Sequence, residues 1–217
     1  MKIYVSPIVK EIEKFYGDIL LDFDHDATVY HYLHRHAKRL WHGIEDHYTV
    51  LEQEIKNYHP EYIAGDGESF FKNNLKKEDA RLTVAREYGF SRWKKVKKHG
   101  KKKFDLEFEE AIENLLNGEI KVLEKMLMDD PKLISKRSKF GHEATLLHYT
   151  ASNGVELWRQ RVPLNLPDIT RLLLDYGADK KAKMRAYGSE FDTLALLESS
   201  THPFDAGIGE EMIKILS

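Results

Sequence analysis

The residues best suited to metal chemistry lie near the start of the chain. Histidines stand at positions 25, 31, 34, 36, 42 and 47, and the stretch DFDHD (Asp22–Asp26) adds three carboxylates. Imidazole nitrogens and carboxylate oxygens are ligands of zinc and of other divalent metals. His31, His34 and His42 have a spacing that brings them near one another on a helix. A metal-dependent enzyme that uses this part of the chain is therefore one alternative for the function.

Several features of the same segment favour structural roles instead. There is no H-E-x-x-H motif, and an apolar stripe that includes Leu33 and Leu40 turns several of the histidines toward solvent. His25-Asp26 resembles the paired ligands of HD-type phosphohydrolases, but those enzymes need a further histidine ligand earlier in the chain, and none precedes His25. Asp24 or Asp26 suits the N-cap of a helix. We predict no metal, no cofactor and no catalytic residue.

A basic run, RWKKVKKHGKKK (Arg92–Lys103), carries seven lysines and one arginine. Such a density of charge binds phosphates by releasing counterions. However, Trp93 and Val96 share one helical face, and no row of aromatic residues for stacking bases accompanies the charges. We interpret the run as a solvated helix followed by a linker. Weak, sequence-independent nucleic-acid binding through Arg92–Lys103 is a second alternative for the function.

The composition of the whole chain limits the function further. Among 217 residues, 34 Lys and Arg face 36 Asp and Glu, so the molecule as a whole is not built to bind a polyanion. The absence of cysteine excludes disulfides and thiolate chemistry and fits a reducing compartment. Neither a signal-peptide pattern nor an apolar run of about eighteen residues is present. We predict a cytoplasmic protein without a membrane partner.

Hydrophobic spacing predicts helices along most of the N-terminal part and no strand of any length. Ser6 and Pro7 have the residue types of a helix start, and Gly89 followed by Phe90 has those of a helix end. The predicted helices are Pro7 to Tyr16, Asp26 to Gly43, Ile44 to Pro60, Asn74 to Tyr88, and a short one after Ser91.

From about Leu106 the segments resemble one another, which indicates a repeat architecture. A T-L-L-H tetrad from Thr145 opens a short helix, and a later helix ends in Y-G-A-D from Tyr176. These motifs resemble the T-P-L-H-x-A opening and the L-L-x-x-G-A-D closing of the ankyrin repeat, with Leu146 in place of the proline. The resemblance implies a solenoid of helix pairs, in which His148 ties neighbouring turns by hydrogen bonds and Thr145 is its local partner.

The segments on either side extend the resemblance. Phe108–Arg137 carries the two-helix pattern without the tetrad, as an N-terminal capping repeat does, and helical segments from Thr193 and Glu211 resemble a last, truncated repeat. The element A-R-E-x-G-F-x-x-W (Ala85–Trp93) is similar to the end of the helical leader in a group of bacterial ankyrin-repeat proteins.

The predicted fold class is all-α, an ankyrin-type helical repeat solenoid preceded by a helical leader. The leader region covers residues 1–103, and about three ankyrin repeats with long inter-helix insertions cover residues 104–217. Thr145 and Thr193 lie farther apart than the repeat period of about 33 residues, and the excess places roughly eleven extra residues at 157–167. Because insertions in stacked repeats map to loops on one edge, we expect this insertion to be an exposed surface.

Arginine and aromatic side chains, which interfaces favour, occur in and near the insertion. For Trp158, packing of the loop onto its own repeat is the alternative to partner binding. The predicted partner-binding residues are Phe140, His142, Trp158, Arg159, Arg161, Arg185 and Tyr187. We therefore predict a non-catalytic protein–protein interaction module that presents a rigid concave surface to a protein partner.

Overall fold

The computed structural model describes residues 2–23, 27–62 and 75–217, and it is mostly helical, as the sequence predicts. The N-terminal helices are α1 (Pro7–Tyr16), α2 (Val29–Glu45), α3 (Leu51–Tyr58), α4 (Lys77–Glu87) and α5 (Trp93–His99). The C-terminal helices are α6 (Leu106–Leu116), α7 (Ile120–Asp129), α8 (Leu146–Tyr149), α9 (Leu166–Asp175), α10 (Thr193–Glu198), α11 (His202–Asp205) and α12 (Gly209–Leu216). Short 3-10 helices cover Gly17–Leu21, Pro131–Ser135 and Leu157–Arg159. None of the helices described has the length and apolar character needed to cross a membrane.

Side-chain caps explain where the first two helices begin. The Ser6 hydroxyl accepts a hydrogen bond from the Val9 N–H at 3.4 Å, and Pro7 follows as the first residue of α1. The Thr28 hydroxyl accepts from the His31 N–H at 3.3 Å and caps α2. Each cap satisfies a backbone donor that has no partner within its own helix.

Two glycines that are both predicted to end helices have different roles. Gly89, with φ of 78°, follows the end of α4, and the Phe90 N–H donates to the Ala85 carbonyl at 2.8 Å, which confirms the predicted stop. Gly43 instead lies inside α2, so the predicted stop there is wrong. A Cβ on Gly43 would collide with the side chains of Leu51 and Phe15. The glycine at this position therefore allows α1 and α3 to approach α2 closely.

The structure also contains four strands of three residues each, which the sequence did not predict. Strand β1 (Ile3–Val5) pairs antiparallel with β2 (Arg161–Pro163), and β3 (Met184–Ala186) pairs antiparallel with β4 (Ser189–Phe191). Segments this short do not show the alternating pattern that identifies a strand in a sequence. The β1–β2 pair joins the start of the chain to the predicted insertion.

The C-terminal helices form two rows. In the first row α6 contacts α8 and α8 contacts α10, and in the second row α7 contacts α9 and α9 contacts α12. Between the rows, α6 contacts α7, α8 contacts α9 and α10 contacts α12. The hairpin formed by β3 and β4 connects the second of these helix pairs to the third. Neighbouring pairs therefore bury their apolar faces against one another.

His148 holds the start of α8 and the loop that follows α9 together. Its Nδ1 accepts a hydrogen bond from the Thr145 N–H at 3.1 Å and lies 2.8 Å from the Thr145 hydroxyl. Its Nε2 lies 3.0 Å from the Ala182 carbonyl. Burial lowers the pKa of His148 to about 4, so the neutral ring accepts at Nδ1 and donates at Nε2. These contacts confirm the predicted structural role of this histidine.

The predicted exposure of the insertion is wrong. Leu157 and Trp158 are each only 2% exposed, and the short helix that holds them packs against α1. Together with Phe140, they belong to a core cluster whose other members come from the N-terminal part of the chain. The insertion is buried because the leader helices offer it an apolar surface. It therefore joins the leader to the stack of helix pairs.

This position changes the expected effect of truncating Trp158. Trp158→Ala should lower the free energy of unfolding by about 3 to 5 kcal/mol, because a large aromatic side chain leaves a cavity in a packed core. Leu173→Ala, inside the stack, should lower it by about 2 to 5 kcal/mol. Val122→Ala is the control, because Val122 is 42% exposed and should change the value by less than about 0.5 kcal/mol. Urea denaturation measures the free energy of unfolding of all three variants. An effect of Trp158→Ala as small as that of Val122→Ala would contradict the burial of Trp158.

Candidate binding groove

Arg159 is fully buried at the junction between the leader and the stack. Its guanidinium lies 2.9 Å from the Glu109 carboxylate and 3.1 Å from the Glu113 carboxylate, both on α6. A third carboxylate, that of Glu156, lies 3.4 Å away. A buried cation is tolerated only when anions compensate for the water it has lost. Arg159 therefore has a structural role, and the prediction that it binds a partner is wrong.

Glu156 connects this ion cluster to His142. The Glu156 carboxylate lies 3.4 Å from the His142 Nε2 and accepts a hydrogen bond from the Tyr149 hydroxyl at 3.4 Å. Burial opposes ionisation of Glu156, but the attraction of Arg159 and His142 outweighs it and lowers the pKa of Glu156 to about 2. His142 is fully buried, so it too is unavailable to a partner.

Two further buried carboxyls lie in the leader. Glu54 accepts a hydrogen bond from the Tyr16 hydroxyl at 2.7 Å, and Glu87 accepts one from the Leu157 N–H at 2.9 Å. Burial raises the pKa of Glu54 to about 7. Burial, reinforced by the charge of Glu54, raises the pKa of Glu87 well above its usual range. The second hydrogen bond crosses from α4 to the insertion, so this carboxyl also connects the leader to the stack.

The histidines of α2 do not form a metal site with other described residues. His36 is buried against Tyr16 and Tyr32, and burial lowers its pKa to about 3. In residues 2–23, 27–62 and 75–217, no group of three or more His, Asp or Glu side chains is placed to hold a metal ion. His25 and the aspartates on either side of it lie outside those residues. The absence of a metal remains a prediction for the purified protein.

An open groove of about 930 Å³ lies where the leader meets the β3–β4 hairpin. One wall comes from α5 and the two lysines that follow it, and the other comes from the hairpin and the segment around Gly141. Phe90 joins the walls, because its ring packs so closely on Gly141 that a Cβ there would lie 2.7 Å from it. The charged residues that line the groove are Arg86, Lys95, Lys98, Lys101, Lys102, Glu143, Arg185 and Glu190.

The charges on the two walls are paired differently. On the hairpin wall, the Arg185 guanidinium lies 3.1 Å from the Glu143 carboxylate and 3.9 Å from that of Glu190. On the opposite wall, the lysine side chains are exposed and form no ion pair with any residue of the described ranges. These lysines are Lys95, Lys98, Lys101 and Lys102. The groove therefore has one cationic wall and one wall on which a single cation is paired with two carboxylates.

The tip of the hairpin is held in place by the leader. Tyr187 and Gly188 form a two-residue turn with φ of 52° and 88°, a backbone that is costly for tyrosine. The Tyr187 ring stacks on Tyr58 of α3, with ring centres 6.0 Å apart, and its hydroxyl donates to Asn153 at 2.6 Å. The guanidinium of Arg86 lies beside this turn, because a Cβ on Gly188 would come within 2.9 Å of it. The hairpin wall is thus rigid with respect to the rest of the groove.

The predicted partner-binding residues divide into two sets. Those that are buried, and for which the prediction is corrected, are Phe140, His142, Trp158 and Arg159. Arg161 is mostly buried and pairs with Glu113 at 2.5 Å, away from the groove. Arg185 and Tyr187 do line the groove. The predicted partner-binding set does not include the lysines of the other wall, because the basic run is interpreted as a solvated helix or, alternatively, as a weak nucleic-acid binder.

The chain matches no protein-family model, no curated protein and no solved structure.

Removal of the Arg159 guanidinium tests the structural role of the ion cluster. Arg159→Met should lower the free energy of unfolding by about 3 to 5 kcal/mol, because it leaves buried carboxylates without their cation. Arg171→Met is the matched control. The Arg171 side chain is 48% exposed and pairs with Asp168 and Glu211 on the surface, so its loss should cost at most about 1 kcal/mol. Equal effects of the two substitutions in urea denaturation would contradict a structural role for Arg159.

Glu54 should make stability depend on pH. Its pKa rises from 4.5 in the unfolded chain to about 7 in the folded protein, so the unfolded state loses this proton first as the pH rises. The folded state therefore loses stability between about pH 4.5 and pH 7. Glu54→Gln, which mimics the protonated form, should raise the free energy of unfolding at pH 8 by an amount on the order of 3 kcal/mol, and much less at pH 5. Urea denaturation at both pH values, with the exposed Glu124→Gln as control, measures this difference. An equal increase in the free energy of unfolding of Glu54→Gln at pH 5 and at pH 8 would show that protonation of Glu54 is not involved.

Proposed function

We propose that this protein is a non-catalytic protein-binding module of the ankyrin-repeat type, with a helical leader built onto the repeats. The two rows of helices, the paired contacts between the rows and the hairpin between α9 and α10 support the repeat assignment. The hydrogen bonds of His148 with Thr145 and Ala182 support it as well, because the ankyrin resemblance implies such a brace.

The observation that carries the proposal is the groove beside the β3–β4 hairpin. In a stack of repeats, the concave surface formed by hairpin tips and inner helices is the natural site for a partner. Here the leader adds a second wall with exposed lysines, while Tyr58 and Asn153 fix the hairpin tip. A partner that docks against fixed walls loses less conformational entropy in the protein than one that must order a loop.

The proposed binding surface differs from the surface that the sequence predicts. Trp158 and Arg159 lie in the core, so a partner cannot reach them without unfolding the junction between the leader and the stack. Arg185 and Tyr187 remain candidates, and the lysines from Lys95 to Lys102 join them. The exposed position of these lysines makes them suitable for substitution without loss of the fold.

A capture experiment with matched variants tests the proposal. The wild-type chain, Lys98→Glu/Lys102→Glu in the groove and Lys121→Glu/Lys125→Glu on the exposed side of α7 are each immobilised and exposed to nuclease-treated lysate of the source cell. We expect the wild type and the α7 variant to retain the same protein, because the groove is intact in both. The groove variant should lose it, because its charge reversal repels whatever the lysines bind.

Other outcomes of the same capture would contradict the proposal. If all three chains retain the protein equally, the groove is not the binding surface. If no protein is retained and nucleic acid is captured from lysate that has not been treated with nuclease, the alternative of a nucleic-acid binder replaces it. A metal ion in stoichiometric amount by elemental analysis, together with a turnover that depends on it, would support the metal-dependent enzyme instead.

A further inference from the structure

We infer that the groove beside the β3–β4 hairpin binds an acidic peptide segment, with the carboxylates of the segment on the lysine wall. The inference rests on the proposed function, because it states the chemistry of the partner that such a module takes. It concerns the wall formed by Lys95, Lys98, Lys101 and Lys102 and the opposite wall formed by Arg185, Glu143 and Glu190.

The first step is the imbalance of charge in a molecule that is nearly neutral as a whole. The formal net charge of the chain is −2, yet the lysine wall gathers cations that have no carboxylate partner among the described residues. Like charges at such short sequence separation repel one another, and the repulsion weakens when anions bind among them. A ligand with several negative charges is therefore the species that this wall attracts most strongly.

The second step is the presence of acidic groups on the opposite wall. Glu143 and Glu190 both pair with Arg185, which leaves an excess of one negative charge, and the Glu190 side chain remains 66% exposed. A ligand that carries negative charge on every side would meet this carboxylate unfavourably. An extended or helical peptide can place its acidic side chains on one side and neutral side chains on the other, which matches the two different walls.

The third step concerns two rings that line the groove, those of Phe90 and Tyr187, and how little surface they offer for stacking bases. Phe90 is only 6% exposed, and its ring is covered by Gly141 and by His99, whose ring centre lies 5.3 Å away. Tyr187 is stacked on Tyr58 with an angle of 4° between the two rings, so that face is occupied. Single-stranded nucleic acids bind proteins largely through bases that stack on exposed rings. Tyr187, 39% exposed, is therefore the one groove ring of these two with surface left for a base, and the absence of a row of such rings among the described residues of the groove favours the peptide.

The groove is large enough for a short peptide segment and larger than a single bound side chain needs. Its volume of about 930 Å³ is at the upper end of the range in which proteins enclose small ligands, and it is open to solvent along its length. Several residues of a peptide fit such a space. The lysines follow one another along α5 and the segment after it, so successive carboxylates of a bound peptide meet successive cations.

Fluorescence anisotropy with defined probes tests this inference. The probes are a labelled twelve-residue peptide in which Glu alternates with Ser, and a labelled single-stranded oligonucleotide of twelve thymidines. Each is titrated with the full-length wild type, with Lys98→Glu/Lys102→Glu and with Lys121→Glu/Lys125→Glu. We expect the acidic peptide to bind the wild type, to bind the α7 variant equally, and to bind the groove variant at least about tenfold more weakly. Raising the salt concentration should weaken the peptide's binding.

Three results would overturn the inference: no binding of the acidic peptide, equal loss with both charge reversals, or tighter binding of the oligonucleotide than of the peptide at the same salt concentration. Thermal unfolding of the variants shows whether they fold, and Lys98→Gln/Lys102→Gln replaces the groove variant if it does not. Failure here is distinguishable from failure of the proposed function. If the groove variant loses a protein partner in the capture experiment while the acidic peptide does not bind, the module stands and its ligand is of another kind.

Discussion

The structure depends on one buried cation. Arg159 has no access to water, and its guanidinium lies 4.6 Å from the centre of the Trp158 ring and 5.0 Å from that of the Phe23 ring. Glu109 and Glu113 on α6 supply the compensating negative charge. The aromatic ring of Phe23 comes from the leader and the acids come from the stack, so both must be in place before the charge can be buried. The leader covers the ion cluster that the stack provides, so the desolvated guanidinium and its anions are buried together only when the leader is docked.

The groove is a consequence of that arrangement. One of its walls belongs to the leader and the other to a hairpin of the stack, and neither wall alone encloses a space. Contacts on both sides of the junction keep the walls apart at a fixed distance: β1 pairs with β2, Tyr187 stacks on Tyr58, and Glu87 accepts a hydrogen bond from the insertion. A leader that only preceded the C-terminal helix pairs would leave the lysines of α5 on a free helix. Docked as it is, the leader makes a basic helix one wall of the groove.

The sequence predicts much of the helical structure and little of the junction. Periodic apolar residues and the caps at Ser6 and Gly89 are local features, so they can be recognised without a partner segment. The brace at His148 reaches Ala182, 34 residues away, and the resemblance to a known motif predicts it. The burial of Trp158 and Arg159 could not be predicted, because aromatic and arginine side chains are enriched at interfaces and also between two packed units of one chain. Periodicity locates an insertion but does not reveal what covers it. For the same reason the groove escaped prediction, since its two walls are far apart in the sequence.

Arg159 and the lysines of the groove differ in role because Arg159 is buried and the lysines are exposed. A cation that loses its water on burial needs fixed anions in place of the water. For Arg159 these anions are the carboxylates of Glu109, Glu113 and Glu156. The lysines remain in water, where an unpaired cation costs little, so the fold needs no internal partner for them. Because these lysines have no ion-pair partner in the described part of the chain, another molecule can pair with them without breaking an existing contact. The long insertion therefore lies in the interior, and the lysines of the basic run beside the hairpin lie in solvent.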